Sequence, residues 1–319
     1  MSSRTVQERL ILNTTCPRDC YDTCGIRVSR RGGSISRVSG NSDHPSTRGP
    51  LCGKCSAAYN GVWLDETARL LHPLKRSGKK GSGKFDIITW ESAILEIAGR
   101  LDFILKKERA KHIFHTHYTG TCSSIAGSFP ERFFSCIGAT EVDPDTICNK
   151  AGHVALDYVF GDSLNGFDPR TEQHSNCIIV WGANPSTSAP HVDKFWLRKS
   201  RAKVIVIDPV RHETAENADL YLQVRPGTDA AIAFAMANVI ITKKLLDNKY
   251  IKDNVIGYDK VIAKIMPCTP EWAEPITGVP AKFIVDAAVT YAMGPSIMWL
   301  GQGLQRQPTG GNIFRACAM

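Results

Sequence analysis

The 319-residue sequence lacks any run of 18 or more apolar residues, so it predicts no helix able to cross a bilayer. Its first ten residues, Met-Ser-Ser-Arg-Thr-Val-Gln-Glu-Arg-Leu, hold two separated arginines, Arg4 and Arg9, and no long apolar core. Neither a secretory nor a twin-arginine signal is expected from them, and a cytoplasmic location is the expectation. No internal repeat of fixed period is visible. Although the net charge is +8, no arginine-rich run is interleaved with aromatics, as a single-strand or RNA platform requires. Nucleic acid is therefore not expected as a partner. The one basic cluster, Lys75 to Lys84, is rich in Gly and Ser and predicts a solvated, flexible loop. A disulfide framework is also not expected, since the 11 cysteines are odd in number in a chain that is not small.

What is present begins with those cysteines. Cys16, Cys20 and Cys24 fall within nine residues, and Cys52 follows after a further 27. Thiolates so placed can wrap a cubane iron–sulfur cluster. A zinc ribbon prefers paired Cys-x2-Cys knuckles, of which Cys52-Gly-Lys54-Cys55 is one, so zinc remains the alternative. Five cysteines compete for four places; Cys52 is preferred because Lys54 then projects beside the cluster, leaving Cys55 as a buried thiol. Cys122, Cys136, Cys177, Cys268 and Cys317 lie in apolar or mixed surroundings and are expected to be structural.

Along the chain, alternation on both sides of Gly32-Gly33 predicts a hairpin inside a small β-rich unit ending near residue 65. Thr89 is the expected N-cap of a helix whose Ala93, Ile94, Ile97, Leu101, Ile104 and Leu105 share a face. Residues 111–117 predict a strand, followed by a loop over 118–124. The continuous apolar runs 177–182 and 203–208 are expected to be buried parallel strands. A helical segment is expected around 191–200, an Ala-rich helix over 229–241 and a last strand over 296–300. The predicted fold class is α/β: a small β-rich domain (1–65), then doubly wound α/β regions (66–140 and 141–319).

Several loops in the α/β part suit a nucleotide. Trp181-Gly182-Ala-Asn184-Pro185 follows an apolar strand, where Gly admits close backbone approach and Asn offers both donor and acceptor. Asp208 ends the next strand and can accept from a ribose or a guanine. Gly227-Thr228-Asp229 opens a helix whose backbone N–H groups can meet a phosphate. Each alone is also ordinary turn chemistry; their order and spacing make the case.

Taken with Leu51-Cys-Gly-Lys54, Thr89-Trp-Glu-Ser-Ala, Ile147-Cys148-Asn-Lys-Ala-Gly, Val206-Ile-Asp-Pro209, Thr214 to Asp219, Arg225-Pro-Gly-Thr-Asp229 and Leu300-Gly-Gln-Gly-Leu-Gln305, these motifs resemble the N-terminal half of the molybdenum/tungsten bis-pterin oxidoreductases, the family of dimethyl sulfoxide reductase, periplasmic nitrate reductase and formate dehydrogenase. The resemblance implies a 4Fe-4S cluster on Cys16, Cys20, Cys24 and Cys52, and bis-molybdopterin guanine dinucleotide carrying Mo or W. Lys54 would lie between cluster and pterin as conduit and charge partner. Cys148 would be the protein ligand to the metal, a soft thiolate suiting Mo or W. Residues Trp181 to Pro185, Asp208 and Gly227 to Asp229 match guanosine-diphosphate contacts; Gln302, Gly303 and Arg306 match a segment lying against the pterins.

The activity implied is two-electron redox on a small-molecule substrate, with an electron-transfer partner. Formate dehydrogenases carry His directly after the metal ligand, where Asn149 stands here, and His153 is more than one helical turn away. A formate dehydrogenase-like enzyme is therefore an alternative. Another is a non-catalytic iron–sulfur electron-transfer or scaffold subunit of the same ancestry. Non-redox hydration, known in a tungsten-dependent branch, would need a catalytic aspartate; Asp19 and Asp22 are the nearby acids, and both are expected to cap turns. Family members are considerably longer, so a second polypeptide supplying the C-terminal half is an expected partner unless the chain is a truncated product.

Overall fold

Strand-forming residues around the Gly32-Gly33 pair build a three-stranded antiparallel sheet of β1 (Leu10–Thr15), β2 (Gly25–Arg31) and β3 (Ser34–Gly40). Both turn glycines have positive φ, 56° and 88°, the conformation of a two-residue hairpin turn that matches strand twist. The computed structural model describes residues 10–107, 109–118, 123–163, 166 and 168–319. Cys122 and most of the loop expected over 118–124 lie outside the described residues. The chain forms two units, Met1–Asp19 with Thr23–Pro144, and Cys20–Asp22 with Asp145–Met319.

In the first unit, β3 leads through a loop to the short helix α1 (Gly53–Ala57) and a π-type turn, Ala58–Val62. The asparagine Asn60 is bound to Val38 through both its amide groups, accepting from Val38 N and donating to Val38 O, each at 2.8 Å. This fixes the turn to the last strand of the sheet. The basic segment is more ordered than expected: Leu74 to Arg76 (β4) pairs with Phe85 to Ile87 (β5), and Ser77 Oγ donates to Asp86 Oδ1 at 3.0 Å. Thr89 caps α2 (Trp90–Lys107), its Oγ1 accepting from Ser92 N at 3.2 Å. The predicted apolar stripe of α2 is there, yet no residue of the helix is buried, and Ile94 and Ile97 are about 60% exposed.

The strand expected over 111–117 is shorter. Ala110–His112 makes a 3₁₀ turn and only β6 (Phe114–His115) is extended. A crossover helix, α3 (Ser124–Ile137), then leads to β7 (Thr140–Glu141), which pairs parallel to β6. Ser123 caps α3 by accepting from Ala126 N at 3.2 Å, and Gly138 closes it at φ 72°. Cys136, expected in a core, is exposed on this helix.

The second unit is a doubly wound sheet. Helix α4 (Lys150–Phe160) precedes β8 (Cys177–Trp181), α5 (Pro185–Ser188), α6 (Pro190–Phe195), β9 (Lys203–Ile207), α7 (Glu213–Glu216), β10 (Leu220–Leu222) and α8 (Asp229–Thr242). Then come α9 (Asn248–Asn254), α10 (Tyr258–Ile265), α11 (Pro270–Thr277), α12 (Ala281–Ala292), β11 (Ser296–Leu300) and α13 (Gly310–Ala318). All four strands are parallel, in the order β10-β9-β8-β11.

Alternation divides each strand between two cores. Ile179, Trp181, Ile205 and Ile207 pack with residues of α8, α12 and α13. On the opposite face Ile178, Val180, Val204 and Val206 pack with Val192, Trp196 and Ala215. Burial on both faces is why these strands read as unbroken apolar runs. Cys177 and Cys317 are buried here as expected; burial pushes the Cys177 thiol up to about 11.

Candidate functional site

The first unit gathers thiols. Cys16, Cys24 and Cys55 are buried together with Ile26, Val38 and Tyr59, and Cys52 packs against them half-exposed. Cys16 N donates to Cys24 O at 2.8 Å, so the nine-residue loop is closed at its base by the first rung of the sheet. Cys16 Sγ lies 2.9 Å from Tyr59 Oη and 3.6 Å from Cys55 Sγ. Desolvation, reinforced by contacts with Cys16 and Cys52, raises the Cys55 thiol to about 12. Burial likewise raises the Tyr59 phenol. Lys54 stands on the exposed side of α1, one residue before Cys55. This set of soft donors at the base of a rigid hairpin fits an iron–sulfur cluster.

Cys20, half-buried, belongs to the tripeptide Cys20–Asp22 of the second unit. Asp22 holds that tripeptide. Its carboxylate accepts from His191 N at 3.0 Å and Val192 N at 3.1 Å, and lies 2.6 Å from His191 Nδ1. Asp22 thus caps the start of α6 from a position 169 residues away, a longer reach than the turn cap expected of it.

Within the second unit the chain order places β9 and β10 to one side of β8 and β11 to the other. The carboxyl ends of β8 and β11 therefore flank a topological switch point, where open α/β sheets bind ligands. Here the backbones touch. Gly301 N donates to Trp181 O at 2.7 Å and Gly303 N to Gly182 O at 3.1 Å. A Cβ at Gly301 would stand 2.1 Å from Gly182 O, and one at Gly303 2.7 Å from it. Only glycine permits that approach.

The turn after β11 then reaches back to the segment before α4. Gln302 Nε2 donates to Asn149 Oδ1 at 2.5 Å, Gly152 N donates to Gln305 Oε1 at 2.6 Å, and Arg306 Nη2 donates to Cys148 Sγ at 2.7 Å. Cys148, Gln302 and Arg306 are thus brought together, with a guanidinium beside the thiol. Asn149, Gln305 and Gln307 were not among the expected site residues; the Gln-rich turn Gln302 to Gln307, following an apolar strand, was the available signal. His153 faces Asp145 at 3.8 Å.

The nucleotide candidates divide by exposure. Trp181 is 1% exposed and its indole N–H donates to Asp229 Oδ1 at 2.9 Å. Asp229 is itself buried and also receives Gln307 Nε2 at 3.4 Å. These two side chains are turned into the fold, leaving backbone at the loop surface. Asn184 Oδ1 accepts from Ser186 Oγ at 2.6 Å, and Pro185 is buried at the start of α5. Thr228 Oγ1 donates to Arg225 O at 2.7 Å, after Gly227 at φ 85°. Asp208, at the end of β9, accepts from Val210 N at 2.8 Å; burial holds its carboxyl above the ordinary range, partly opposed by that bond and by His212. A cradle of bare backbone with partly satisfied polar tips fits a phosphate-bearing cofactor.

Comparisons with known proteins agree. Residues 11–62 match the molybdopterin oxidoreductase Fe4S4 domain, and residues 69–319 match the molybdopterin oxidoreductase family. The probable oxidoreductase YoaE of Bacillus subtilis is 32% identical over 322 residues, covering 100% of this chain and 47% of its own length. Dimethyl sulfoxide reductase DmsA of Haemophilus influenzae is 30% identical, over 98% of this chain and 43% of its own length. Among solved structures, acetylene hydratase from Pelobacter acetylenicus superposes with a TM-score of 0.77 at 25% identity, covering 96% of this chain and 42% of that one. The chain thus spans less than half the length of these relatives, and no described helix is long and apolar enough to cross a membrane. With an iron–sulfur domain followed by this doubly wound sheet, the chain belongs to the molybdopterin oxidoreductase family.

Proposed function

We propose that this chain is the cluster-bearing and pterin-dinucleotide-binding portion of a molybdenum or tungsten bis-pterin oxidoreductase. The observation that carries the reading is the meeting of Cys148 with the turn after β11, at the carboxyl edge of the sheet. When bound, the pterin-held metal supplies two-electron chemistry and the 4Fe-4S cluster carries single electrons.

The chain's own residues prepare that site. Cys148 offers a soft sulfur donor, and Arg306 holds it by a charge-assisted contact. The Gln302–Asn149 and Gln305–Gly152 bonds tie the residues that follow that sulfur to the turn after β11, as outer partners do at metal sites. Glycines 182, 301 and 303 let the turns after β8 and β11 touch backbone to backbone, and the Gly227–Asp229 helix start and Asp208 offer donors and an acceptor for the guanosine diphosphate. Cys16, Cys20, Cys24 and Cys52 are assigned to the cluster. Cys55 is left as the buried thiol behind it, and Lys54 as the charge between cluster and pterin. Further sequence, on this or a second polypeptide, would complete the substrate funnel, and an electron-transfer protein would serve the cluster.

The test is metal and pterin analysis of parent and Cys148→Ala protein, each assembled with that remaining sequence. Cys148→Ala is expected to keep its iron and lose turnover; unchanged turnover would overturn the assignment. Iron without molybdenum, tungsten or pterin in the parent would favour the non-catalytic iron–sulfur subunit. The amide pair between Asn149 and Gln302, standing where formate dehydrogenases carry histidine, argues against formate as substrate.

A further inference from the structure

The β6–α3–β7 crossover carries a donor set that the reading above does not use. Parallel register sets His115 opposite Glu141, and strand alternation returns His117 to the same side. The two imidazoles stack, with centroids 4.7 Å apart and planes 13° from parallel, and His115 is backed by Phe134 at 4.2 Å. One ligand atom from each of His115, His117 and Glu141 lies within 4.8 Å of the others. Two carboxylates reach the same ring: His117 Nε2 is 3.1 Å from Glu141 Oε1 and 3.4 Å from Glu131 Oε1 of α3.

A second observation points to a ligand. His115 is only 5% exposed and its Nδ1 has no hydrogen-bond partner; His117 meets the carboxylates through Nε2, and its Nδ1, on the other side of the ring, is buried without a partner. Buried side-chain nitrogens are ordinarily satisfied, and an imidazole nitrogen left without a partner is open to a metal ion. We propose that His115, His117 and Glu141, with Glu131 as a further carboxylate, bind a first-row divalent cation of the zinc type. Imidazole with carboxylate suits such an ion better than magnesium or calcium, which take all-oxygen sites. The glutamates are 41% and 47% exposed and supply the entry path, while aromatic packing fixes His115 behind them.

The ion's effect would be to clamp the crossover. With two residues per strand, β6 and β7 share too short a ladder to hold their carboxyl ends and α3 in place unaided. A metal bridging β6, β7 and α3 supplies the missing tie. The inference stands independently of the pterin reading.

The test is titration of the anaerobically purified full chain with Co²⁺ as a spectroscopic probe, followed by displacement with Zn²⁺. The parent is expected to bind one Co²⁺ with visible bands of imidazole–carboxylate type. The sulfur-to-cobalt charge-transfer absorption that cysteine ligands add should be missing from that event. His117→Gln and Glu141→Gln, shown to be folded by circular dichroism, are each expected to weaken binding about tenfold or more. The proposal is overturned if the parent binds no such ion. It is also overturned if all bound cobalt shows thiolate absorption, or if both folded variants bind as tightly as the parent.

Discussion

Helices α2 and α8 carry apolar residues in opposite arrangements and meet opposite fates. The eighteen residues of α2 put their apolar side chains on one stripe, yet none is buried within this chain. In α8 apolar residues surround the axis, and Ala231, Ile232, Ala235, Met236 and Val239 are all buried. Helices α10, α11, α12 and α13 pack on α8 beside the sheet, so most of its circumference finds a neighbour. A stripe states which face of a helix seeks burial; whether it is buried depends on elements that local sequence does not name.

Substitutions sharpen the contrast. Ile205→Ala, in the sheet core at 1% exposure, is expected to cost about 2–5 kcal/mol in chemical denaturation. Ile94→Ala, on the exposed stripe of α2, is expected to stay within about 0.5 kcal/mol. Equal losses would show that α2 is as well packed as the sheet. Next in size, Trp181→Phe leaves the buried Asp229 carboxylate without its indole donor, an expected loss of about 1–3 kcal/mol. Smaller still, Thr89→Ala removes the cap of α2 and should cost about 1 kcal/mol.

Asp208 adds a dependence on pH. Because burial raises its carboxyl in the folded state, the native protein binds its proton more tightly than the unfolded chain does. That contribution to stability is full below the unfolded carboxylate range and is lost as pH rises through the folded value. Asp208→Asn keeps an acceptor for Val210 N and should flatten this decline. Denaturation midpoints across mildly acidic to neutral pH would check it, and an unchanged slope would contradict it.

Much of the sheet was legible because a parallel strand buried on both faces leaves an unbroken apolar run. Residues 177–181, 203–207 and 296–300 are strands close to where the runs lie. The hairpin was legible from Gly32-Gly33, and the cap of α2 from Thr89. The layer that organises Cys148 was not. Gln302 and Asn149 are 153 residues apart and Arg306 and Cys148 are 158 apart, so no spacing rule joins them. They meet because β11 enters the sheet beside β8, an outcome of strand order. Trp181 and Asp229 illustrate the same limit: motif position identified a loop, but only packing shows their side chains bonded to each other. The expected strand over 111–117 shrank to two residues because Lys111 and His112, at its start, lie in a 3₁₀ turn instead.

All of the redox chemistry proposed for the chain depends on thiols at the base of the N-terminal hairpin holding a cubane cluster. Iron and labile-sulfide analysis, with electron paramagnetic resonance of the reduced, anaerobically reconstituted chain, tests it most directly. About four irons and four sulfides per chain are expected, lost in Cys52→Ser and kept in Cys55→Ser. A colourless chain binding only zinc, or a cluster that survives Cys52→Ser and disappears in Cys55→Ser, would contradict it.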